Sequence, residues 1–286
     1  MILYIVFIFT LGRPKHPMRK KMFNVRLPIF KYYRDYFPIR LVVPPSTREK
    51  FDKQKNYLFA YHPHGVHTFG AILCFGTEAN FASKMLPGIK THLQTLKVNY
   101  FIPFWRWCMV GMGAGDASAD CIRKTLRAGP GESVVLVVGG AEESLMSKPN
   151  SNDIVLQKRK GFIKIALQEG ASLVPVYGFG ENNAYNISTL AENRRMKYFL
   201  RVLKKYTGFT VPLISGRGFF LKYGVLPHRR PIVVVVGDPL DLPRIPHPTP
   251  EELDHWQQAY ITALQKLYNQ HRDLYDLEST GLRIIK

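Results

Sequence analysis

The sequence predicts an α/β fold in which helices flank a mostly parallel central sheet. Continuous apolar runs that end near glycine, several of them rich in β-branched residues, are typical of strands buried on both faces. Such runs lie at residues 57–61, 133–138, 171–177 and 231–236. Helical stretches separate these runs, and regular alternation of strand and helix is typical of a parallel sheet.

Two helices carry clear terminal signals. Residues 162–168 have a helical apolar face, and Gly170 predicts the C-terminal stop. The last helix begins at Thr249, where Thr-Pro-Glu-Glu combines a capping box with proline in the first turn. An apolar stripe follows at helical spacing and predicts core packing; its members are Leu253, Trp256, Tyr260, Leu264 and Leu267.

Composition narrows the class of protein. The 286 residues suffice for a large core, and 46% hydrophobic with 21% charged residues excludes disordered, collagen-like and coiled-coil chains. Three cysteines are too few and odd in number for a disulfide framework, which favours a reducing compartment. A net charge of +19 fits nucleic acid, an anionic membrane or a polyanionic ligand such as a coenzyme A. Nucleic acid is disfavoured, because the charges are dispersed and no nucleic-acid motif is present.

The N-terminal part has the pattern of a membrane-associating segment. Residues 1–11 are apolar but only about half the length that spans a bilayer. Residues 13–40 contain nine Lys/Arg against one acid, Asp35, with aromatic residues between them. An apolar run followed by a basic, aromatic collar is typical of the cytoplasmic edge of a membrane anchor. We therefore expect residues 1–45 to associate with a membrane and residues 46–286 to form the globular domain; the alternative is a strand or helix with a solvated basic face.

The strongest local signal is the His62-Pro63-His64-Gly65 motif after the first strand. Ligands of open α/β sheets bind at the carboxyl ends of strands, and Gly65 permits a sharp turn there. Three interpretations stay open from the residues alone. The histidines are structural, they bind a metal together with His67, or His64 acts as a general base near neutral pH.

A histidine base needs an orienting carboxylate, and the second strand ends in a candidate loop. Gly139 and Gly140 are followed there by Glu142 and Glu143. Neighbouring parallel strands bring this loop close to His64, but the chemistry does not choose between the two glutamates. The third strand ends in another polar loop on the same edge, with Glu181 and Asn182.

Two further segments each allow a functional and a purely structural interpretation. Arg159, Lys160 and Lys164 surround a predicted helix start, where clustered cations favour phosphate binding; the alternative is an exposed basic turn. Residues 194–206 form an amphipathic basic stretch, which lies in a membrane interface or packs on the core.

Several motifs together resemble the type-2 diacylglycerol acyltransferase family, which includes monoacylglycerol and wax-alcohol acyltransferases. They occur in the family's order from about residue 30 to the C-terminus. The most specific stretches are HPHG at 62–65, GGAEE at 139–143, RKGFIKIAL at 159–167, LVPVYGFGEN at 173–182 and LPHRRPIVVVVGDPL at 226–240.

The resemblance implies a glycerolipid-acyltransferase-like fold and acyl transfer from acyl-CoA to a glyceride hydroxyl, with diacylglycerol favoured as the acceptor. It makes His64 the base, His62 a supporting residue and Glu143 the acid, with no covalent enzyme intermediate. Arg159, Lys160 and Lys164 would meet the coenzyme A phosphates. It implies no cofactor or metal beyond the acyl-CoA co-substrate, and it places the protein on the cytoplasmic face of the endoplasmic reticulum and on lipid droplets. The alternatives are a monoacylglycerol or wax-alcohol acyltransferase of the same family, a metal-dependent hydrolase and an inactive lipid-binding protein.

Overall fold

The structure is a computed structural model, and it describes most of the chain. The described residues are 23–102, 105–187, 195, 198, 202, 214–218, 224, 226–276 and 278–285. The predictions for residues 1–11 and, apart from three isolated positions, for residues 194–206 lie outside this part. Among the described helices, none has both the length and the hydropathy needed to cross a bilayer.

Eleven strands are defined in the described ranges, and seven of them form the central sheet. In chain order they are β1 (Ile39–Val42), β2 (Tyr57–His62), β3 (Lys90–Thr95), β4 (Gly115–Asp116), β5 (Glu132–Val137), β6 (Asn152–Val155), β7 (Ser172–Phe179), β8 (Asn186–Ile187), β9 (Ile214–Ser215), β10 (Ile232–Val236) and β11 (Leu282–Ile285). The sheet order is β1-β10-β7-β2-β5-β3-β4, and β11-β6 and β8-β9 form two small pairs.

The α-helices of the described part lie between these strands. They are α1 (Pro28–Tyr36), α2 (Pro45–Arg48), α3 (Phe69–Ala71), α4 (Ala82–Met85), α5 (Trp105–Gly111), α6 (Ala119–Leu126), α7 (Gly140–Met146), α8 (Gly161–Glu169) and α9 (Pro250–Tyr275). A π-helical turn, Ile72–Gly76, continues α3. The predicted mixed α/β architecture with flanking helices is therefore confirmed.

Strand direction differs from the prediction in one place. The strands β7, β2, β5, β3 and β4 are mutually parallel, as expected. The strand β10 pairs antiparallel with β7, and β1 pairs parallel with β10. The apolar run of β10 predicts its burial correctly, but hydrophobicity does not encode direction. The sheet is thus mostly parallel, with one antiparallel junction between β10 and β7.

The strands β1 and β3 were not predicted, for two different reasons. The sequence of β3, KTHLQT, lacks an apolar run, yet residues 91–94 are buried, and side chains of Thr91, His92 and Gln94 form hydrogen bonds there. The strand β1 lies within the predicted collar. Phe37, Ile39 and Leu41 belong to a core cluster with residues of β2. The membrane role of residues 1–45 stays a prediction, but residues 37–43 also form part of the globular core.

Both predicted helix termini are confirmed. The helix α8 ends at Gly170, which has φ +67° and caps it through backbone N–H groups. Thr249 and Glu252 form the predicted reciprocal capping box at the start of α9. The stripe of α9 packs against the core cluster that includes Phe162 and Tyr177. This packing fixes α9 on the sheet face next to the end of β2.

Candidate active site

The ends of β2, β5 and β7 bring the predicted site residues to one edge of the sheet. The strand β2 lies between β5 and β7 and is parallel to both. Gly65 turns the chain sharply after β2, with φ +58°. A side chain at this position would meet the Glu181 side chain, since a Cβ would lie 2.8 Å from its Cγ. Gly65 is therefore required both for the turn and for the close approach of the β7 loop.

His64 has a defined ring orientation. Its Nδ1 lies 3.0 Å from the backbone carbonyl of Gly65. A carbonyl only accepts hydrogen bonds, so Nδ1 carries the proton in this contact and Nε2 keeps the lone pair. Burial lowers the pKa of His64, partly offset by the Gly65 carbonyl. The ring is therefore neutral near pH 7 and presents one basic nitrogen.

Glu143 is the glutamate that reaches His64, but it contacts the backbone and not the ring. Its Oε1 accepts the backbone N–H of His64, and its Oε2 accepts the N–H of Val155 at 2.9 Å. Burial raises the pKa of Glu143 to about 7, against the lowering effect of these hydrogen bonds. The neighbouring Glu142 is exposed and pairs with Arg159 at 3.1 Å. The structure thus separates two residues that the sequence left equivalent.

The two glycines before these glutamates serve different purposes. A Cβ on Gly139 would collide with both carboxylate oxygens of Glu143. Gly140 has φ +63°, and open space surrounds the position of a Cβ. Gly139 therefore makes room for the carboxylate, while Gly140 supplies the left-handed turn into α7.

His62 lies in the core and contacts α9. It is fully buried, its Nε2 lies 3.1 Å from the Tyr260 hydroxyl, and that hydroxyl lies 3.2 Å from the Ala60 carbonyl. Because the carbonyl takes the hydroxyl proton, Nε2 donates to Tyr260 and Nδ1 is unprotonated. Burial lowers the pKa of His62 to about 3. The sequence pattern assigned Tyr260 to core packing only; a hydroxyl-bearing residue within an apolar stripe was the available signal for a polar contact.

Glu181 and Asn182 hold loops together. The Glu181 Oε2 accepts the Tyr61 hydroxyl at 2.6 Å and the Gly70 N–H at 3.1 Å, so it binds the loop that follows His64. Burial raises the pKa of Glu181 to about 7. Asn182 accepts the Ser147 hydroxyl at 2.8 Å. It also donates to the backbone carbonyl of Ser151. Both residues lie on the predicted edge, in contacts with protein groups.

The three predicted phosphate-binding cations differ in their contacts. Arg159 lies within 3.4 Å of the Gly139 carbonyl as well as beside Glu142, and its Nε is a buried atom without a hydrogen-bond partner. Lys160 pairs with Asp254 of α9. Lys164 is exposed on α8. Of the three, Arg159 is the one that the structure places against the loop of Gly139 and Glu142.

The third histidine, His67, does not join the other two. It is exposed, and its ring packs against Phe69 and Tyr185 at 5.6 and 5.5 Å between centroids. Across the described ranges, no cluster of three or more His, Cys, Asp or Glu side chains is arranged to hold a metal ion. The geometry therefore gives no support to the metal-dependent alternative.

These contacts define an α/β protein with a neutral histidine and a buried glutamate on neighbouring loops at the carboxyl edge of its sheet. A family model described as "Diacylglycerol acyltransferase" matches residues 1–286. The chain is 43% identical over 284 residues to "Diacylglycerol O-acyltransferase 2" of Dictyostelium discoideum, covering 98% of this chain and 85% of that protein. It is 38% identical to the human protein of that name, covering 96% and 70% of the two chains. The chain belongs to the diacylglycerol acyltransferase family.

A third relative is "Diacylglycerol O-acyltransferase 1" of Schizosaccharomyces pombe, which is 37% identical over 277 residues, with 96% of this chain and 79% of that protein covered. Among solved structures, the chain aligns with the 1-acyl-sn-glycerophosphate acyltransferase of Thermotoga maritima at a TM-score of 0.47 and 15% identity, covering 93% and 94% of the chains. The predicted family and its acyltransferase class are confirmed by the sequence relatives. The glycerolipid-acyltransferase-like fold stays a prediction at this level of structural similarity.

Proposed function

We propose that this protein transfers a fatty acyl chain from acyl-CoA to the free hydroxyl of diacylglycerol and so makes triacylglycerol. The names of its relatives support the substrate class. The observation that carries the proposed chemistry is the His64 Nδ1 contact with the Gly65 carbonyl, which leaves Nε2 as the base. A base on this loop lies at the edge of the sheet where open α/β folds bind ligands.

The reaction needs no covalent enzyme intermediate. His64 Nε2 takes the proton of the acceptor hydroxyl while the hydroxyl oxygen attacks the thioester carbon. The tetrahedral intermediate collapses, the C–S bond breaks, and the coenzyme A sulfur receives the proton back from Nε2. General-base catalysis of this kind contributes about 10²–10⁴-fold to a rate.

In this proposal Glu143 positions the base. Its carboxylate fixes the backbone N–H of His64 and so sets where the ring stands relative to α7 and β6. His62 supports the same loop from the core through Tyr260. Arg159 offers a charged donor group next to Gly139, where a phosphate of coenzyme A would be stabilised. Lys160 and Lys164 are assigned the outer part of the same anion site, with Lys160 exchanging Asp254 for phosphate.

We place this reaction on the cytoplasmic face of the endoplasmic reticulum membrane and on lipid droplets. Diacylglycerol and triacylglycerol are too apolar to dissolve in water, so the enzyme must take its acceptor from a lipid phase. The net charge of +19 favours contact with an anionic membrane surface. Fluorescence microscopy of the tagged chain in cells with induced lipid droplets tests this placement; a uniform cytosolic signal would contradict it.

The decisive experiment offers labelled oleoyl-CoA to membranes that contain the protein. Diacylglycerol, monoacylglycerol and a long-chain alcohol are supplied in separate reactions. We expect triacylglycerol as the main product, and we expect its loss in His64→Ala. The matched control is His67→Ala, which removes an exposed histidine three residues away and should retain most of the activity.

Each alternative has its own outcome. Product made mainly from monoacylglycerol or the alcohol would change the acceptor within the same family. Activity that persists in His64→Ala would remove the proposed base. Activity that EDTA abolishes would favour the metal-dependent hydrolase, and no product from any acceptor would favour a lipid-binding role.

A further inference from the structure

A groove lies away from the histidine loop, between α1 and the segment that leads into α4. Its volume is about 890 Å³. Its walls combine apolar and basic side chains, and the principal ones are Leu27, Phe30, Tyr32, Phe81, Lys31 and Lys84. None of the groups assigned to the reaction above lines it.

The groove carries a surplus of unpaired positive charge. Among the described residues, no carboxylate forms an ion pair with Arg26, Lys31 or Lys84, all of which are exposed and line the groove. A fourth cation, Arg34, is held by Asp35 at 2.6 Å. The acidic residue in the lining is Glu78, which accepts a hydrogen bond from Ser83 at 3.0 Å. The groove therefore attracts an anion.

Large apolar side chains stand exposed at the same place. The exposed fraction is 74% for Tyr32 and 54% for Phe81. Phe81 has φ +56°, a backbone conformation that bulky residues rarely adopt. Lys84 Nζ lies 5.4 Å from the Phe81 ring centroid. A strained backbone that holds an aromatic ring out in water is more typical of a binding surface than of a core.

The opposite side of α1 is packed, so the groove has a rigid wall. Tyr33 contacts Phe37 and Phe69, with ring centroids 5.5 and 5.8 Å apart. Next to the groove, residues 23–26 pack against α5 through Val25 and Met109. The helix α5 adds Trp107, which is 57% exposed. An exposed tyrosine beside lysine and arginine, as in the groove, is typical of a membrane-interface belt.

We propose that this groove docks on a bilayer surface and takes an anionic phospholipid, with the headgroup against Arg26, Lys31 and Lys84 and the acyl region against Tyr32 and Phe81. The proposal rests on the membrane placement given above, but not on acyl transfer or on His64. Charge complementarity selects an anionic over a zwitterionic lipid, since each lysine or arginine near an anionic surface strengthens binding about fivefold. The exposed rings select a lipid phase over a soluble anion.

The test places an environment-sensitive fluorophore in the groove of the full chain. Phe81→Cys is labelled in a Cys108→Ser background, because the other two cysteines are buried. Lys266→Cys, an exposed position on α9, is labelled as the control. Vesicles of phosphatidylcholine are compared with vesicles that also contain phosphatidylserine. We expect a blue shift at position 81, and none at position 266, on the anionic vesicles alone.

A charge-reversal pair then tests the anion contact. Lys31→Glu/Lys84→Glu should weaken partitioning into anionic vesicles by about tenfold or more, from the per-lysine contribution above. Lys53→Glu/Lys266→Glu changes the net charge equally at two exposed lysines without an ion pair in the described chain, and it should have a much smaller effect. Position 81 reports on the groove itself, so anchoring of the chain by its N-terminal residues does not produce the expected signal.

Three results would overturn the inference. The first is a probe at position 81 that stays in water although the protein is bound to vesicles. The second is equal weakening of vesicle binding by both charge-reversal pairs. The third is a blue shift caused by submicellar oleoyl-CoA without vesicles, which would make the groove a site for the acyl donor. Acyl transfer is assayed separately in detergent micelles. If the native chain shows no acyl transfer in this assay, the proposed function is contradicted, and the vesicle result is unaffected.

Discussion

The Glu143 carboxylate accepts the backbone N–H of His64, while the His64 imidazole is held by the carbonyl of Gly65. The glutamate therefore determines where the histidine stands, and a backbone carbonyl determines which ring nitrogen is basic. This division of roles differs from a histidine whose ring is paired with a carboxylate, and it leads to distinct expectations for variants.

Glu143→Gln should lower both stability and activity. The two carboxylate oxygens accept N–H groups from His64 and Val155 separately, and an amide has one acceptor, so one donor loses its partner. Hydrogen bonds to charged groups are worth about 1.5–3 kcal/mol. We expect a lower melting temperature and a lower kcat, while the inflection of the pH profile that belongs to His64 stays in place, because the ring keeps its Gly65 contact. Glu142→Gln, at the exposed neighbour, should behave like the native protein; a shift of the His64 inflection in Glu143→Gln would show that the carboxylate acts on the ring.

The acid limb of kcat/KM should lie below pH 6.5. Burial lowers the pKa of His64 from its ordinary value of 6.5, so the base stays unprotonated at a more acidic pH than a free histidine. His67 contributes to this lowering through charge repulsion. His67→Ala should therefore move the limb to a higher pH. The measurement is kcat/KM from pH 4.5 to 8, a range set about the ordinary histidine pKa. Glu143, whose pKa is about 7, also titrates in this range. A limb above pH 6.5 that persists in Glu143→Gln would therefore contradict the assignment.

His62 should make the fold sensitive to acid. Its pKa is about 3 in the fold against 6.5 for a free histidine, so the unfolded chain binds the proton first. The stability that neutral His62 provides is complete above pH 6.5 and is lost as the pH falls toward 3. One proton of difference corresponds to about 1.4 kcal/mol per pH unit. In denaturant unfolding between pH 6 and 4, the unfolding free energy of the native chain should fall by about 1.4 kcal/mol more per pH unit than that of His62→Gln. Equal slopes of unfolding free energy against pH would refute the prediction.

Gly139→Ala should inactivate the protein although the substitution is small. Its Cβ would occupy the place of the Glu143 carboxylate, which cannot move without releasing His64. Gly161→Ala is the matched control, since nothing lies within 4 Å of a Cβ there. We expect loss of activity and a lower melting temperature for the first variant and neither for the second. Normal activity of Gly139→Ala would mean that Glu143 does not need its observed position.

At Glu181 the same amide substitution should be tolerated. One oxygen of Glu181 accepts both the Tyr61 hydroxyl and the Gly70 N–H, and an amide oxygen can do the same. Glu181→Ala removes both contacts and should lower kcat by loosening the loop after His64. A double-mutant cycle of Tyr61→Phe with Glu181→Ala should give a coupling energy of about 0.5–3 kcal/mol in unfolding experiments. Additive effects would show that the hydrogen bond carries no coupling.

Local patterns were sufficient for several parts of the fold. The strands β2, β5 and β7, the Gly170 stop of α8 and the capping box at Thr249 follow from nearest-neighbour chemistry. The strand β3 was missed because it buries polar residues, and the partner of one of them, Glu132 for His92, lies far away in the sequence. The direction of β10 was missed because burial determines the apolar composition of a strand and leaves its direction open.

The sequence by itself determined the family, the sheet edge that bears the site and the residue types available there. Motif order and strand–glycine boundaries are local properties, so a single chain contains them. The tertiary structure decided between Glu142 and Glu143, assigned Tyr260 to His62 and Tyr61 to Glu181, and placed Arg159 but not Lys164 beside the Gly139 loop. Those choices depend on which groups meet across the sheet and which of them lose water, and both are set by packing between segments far apart in the chain.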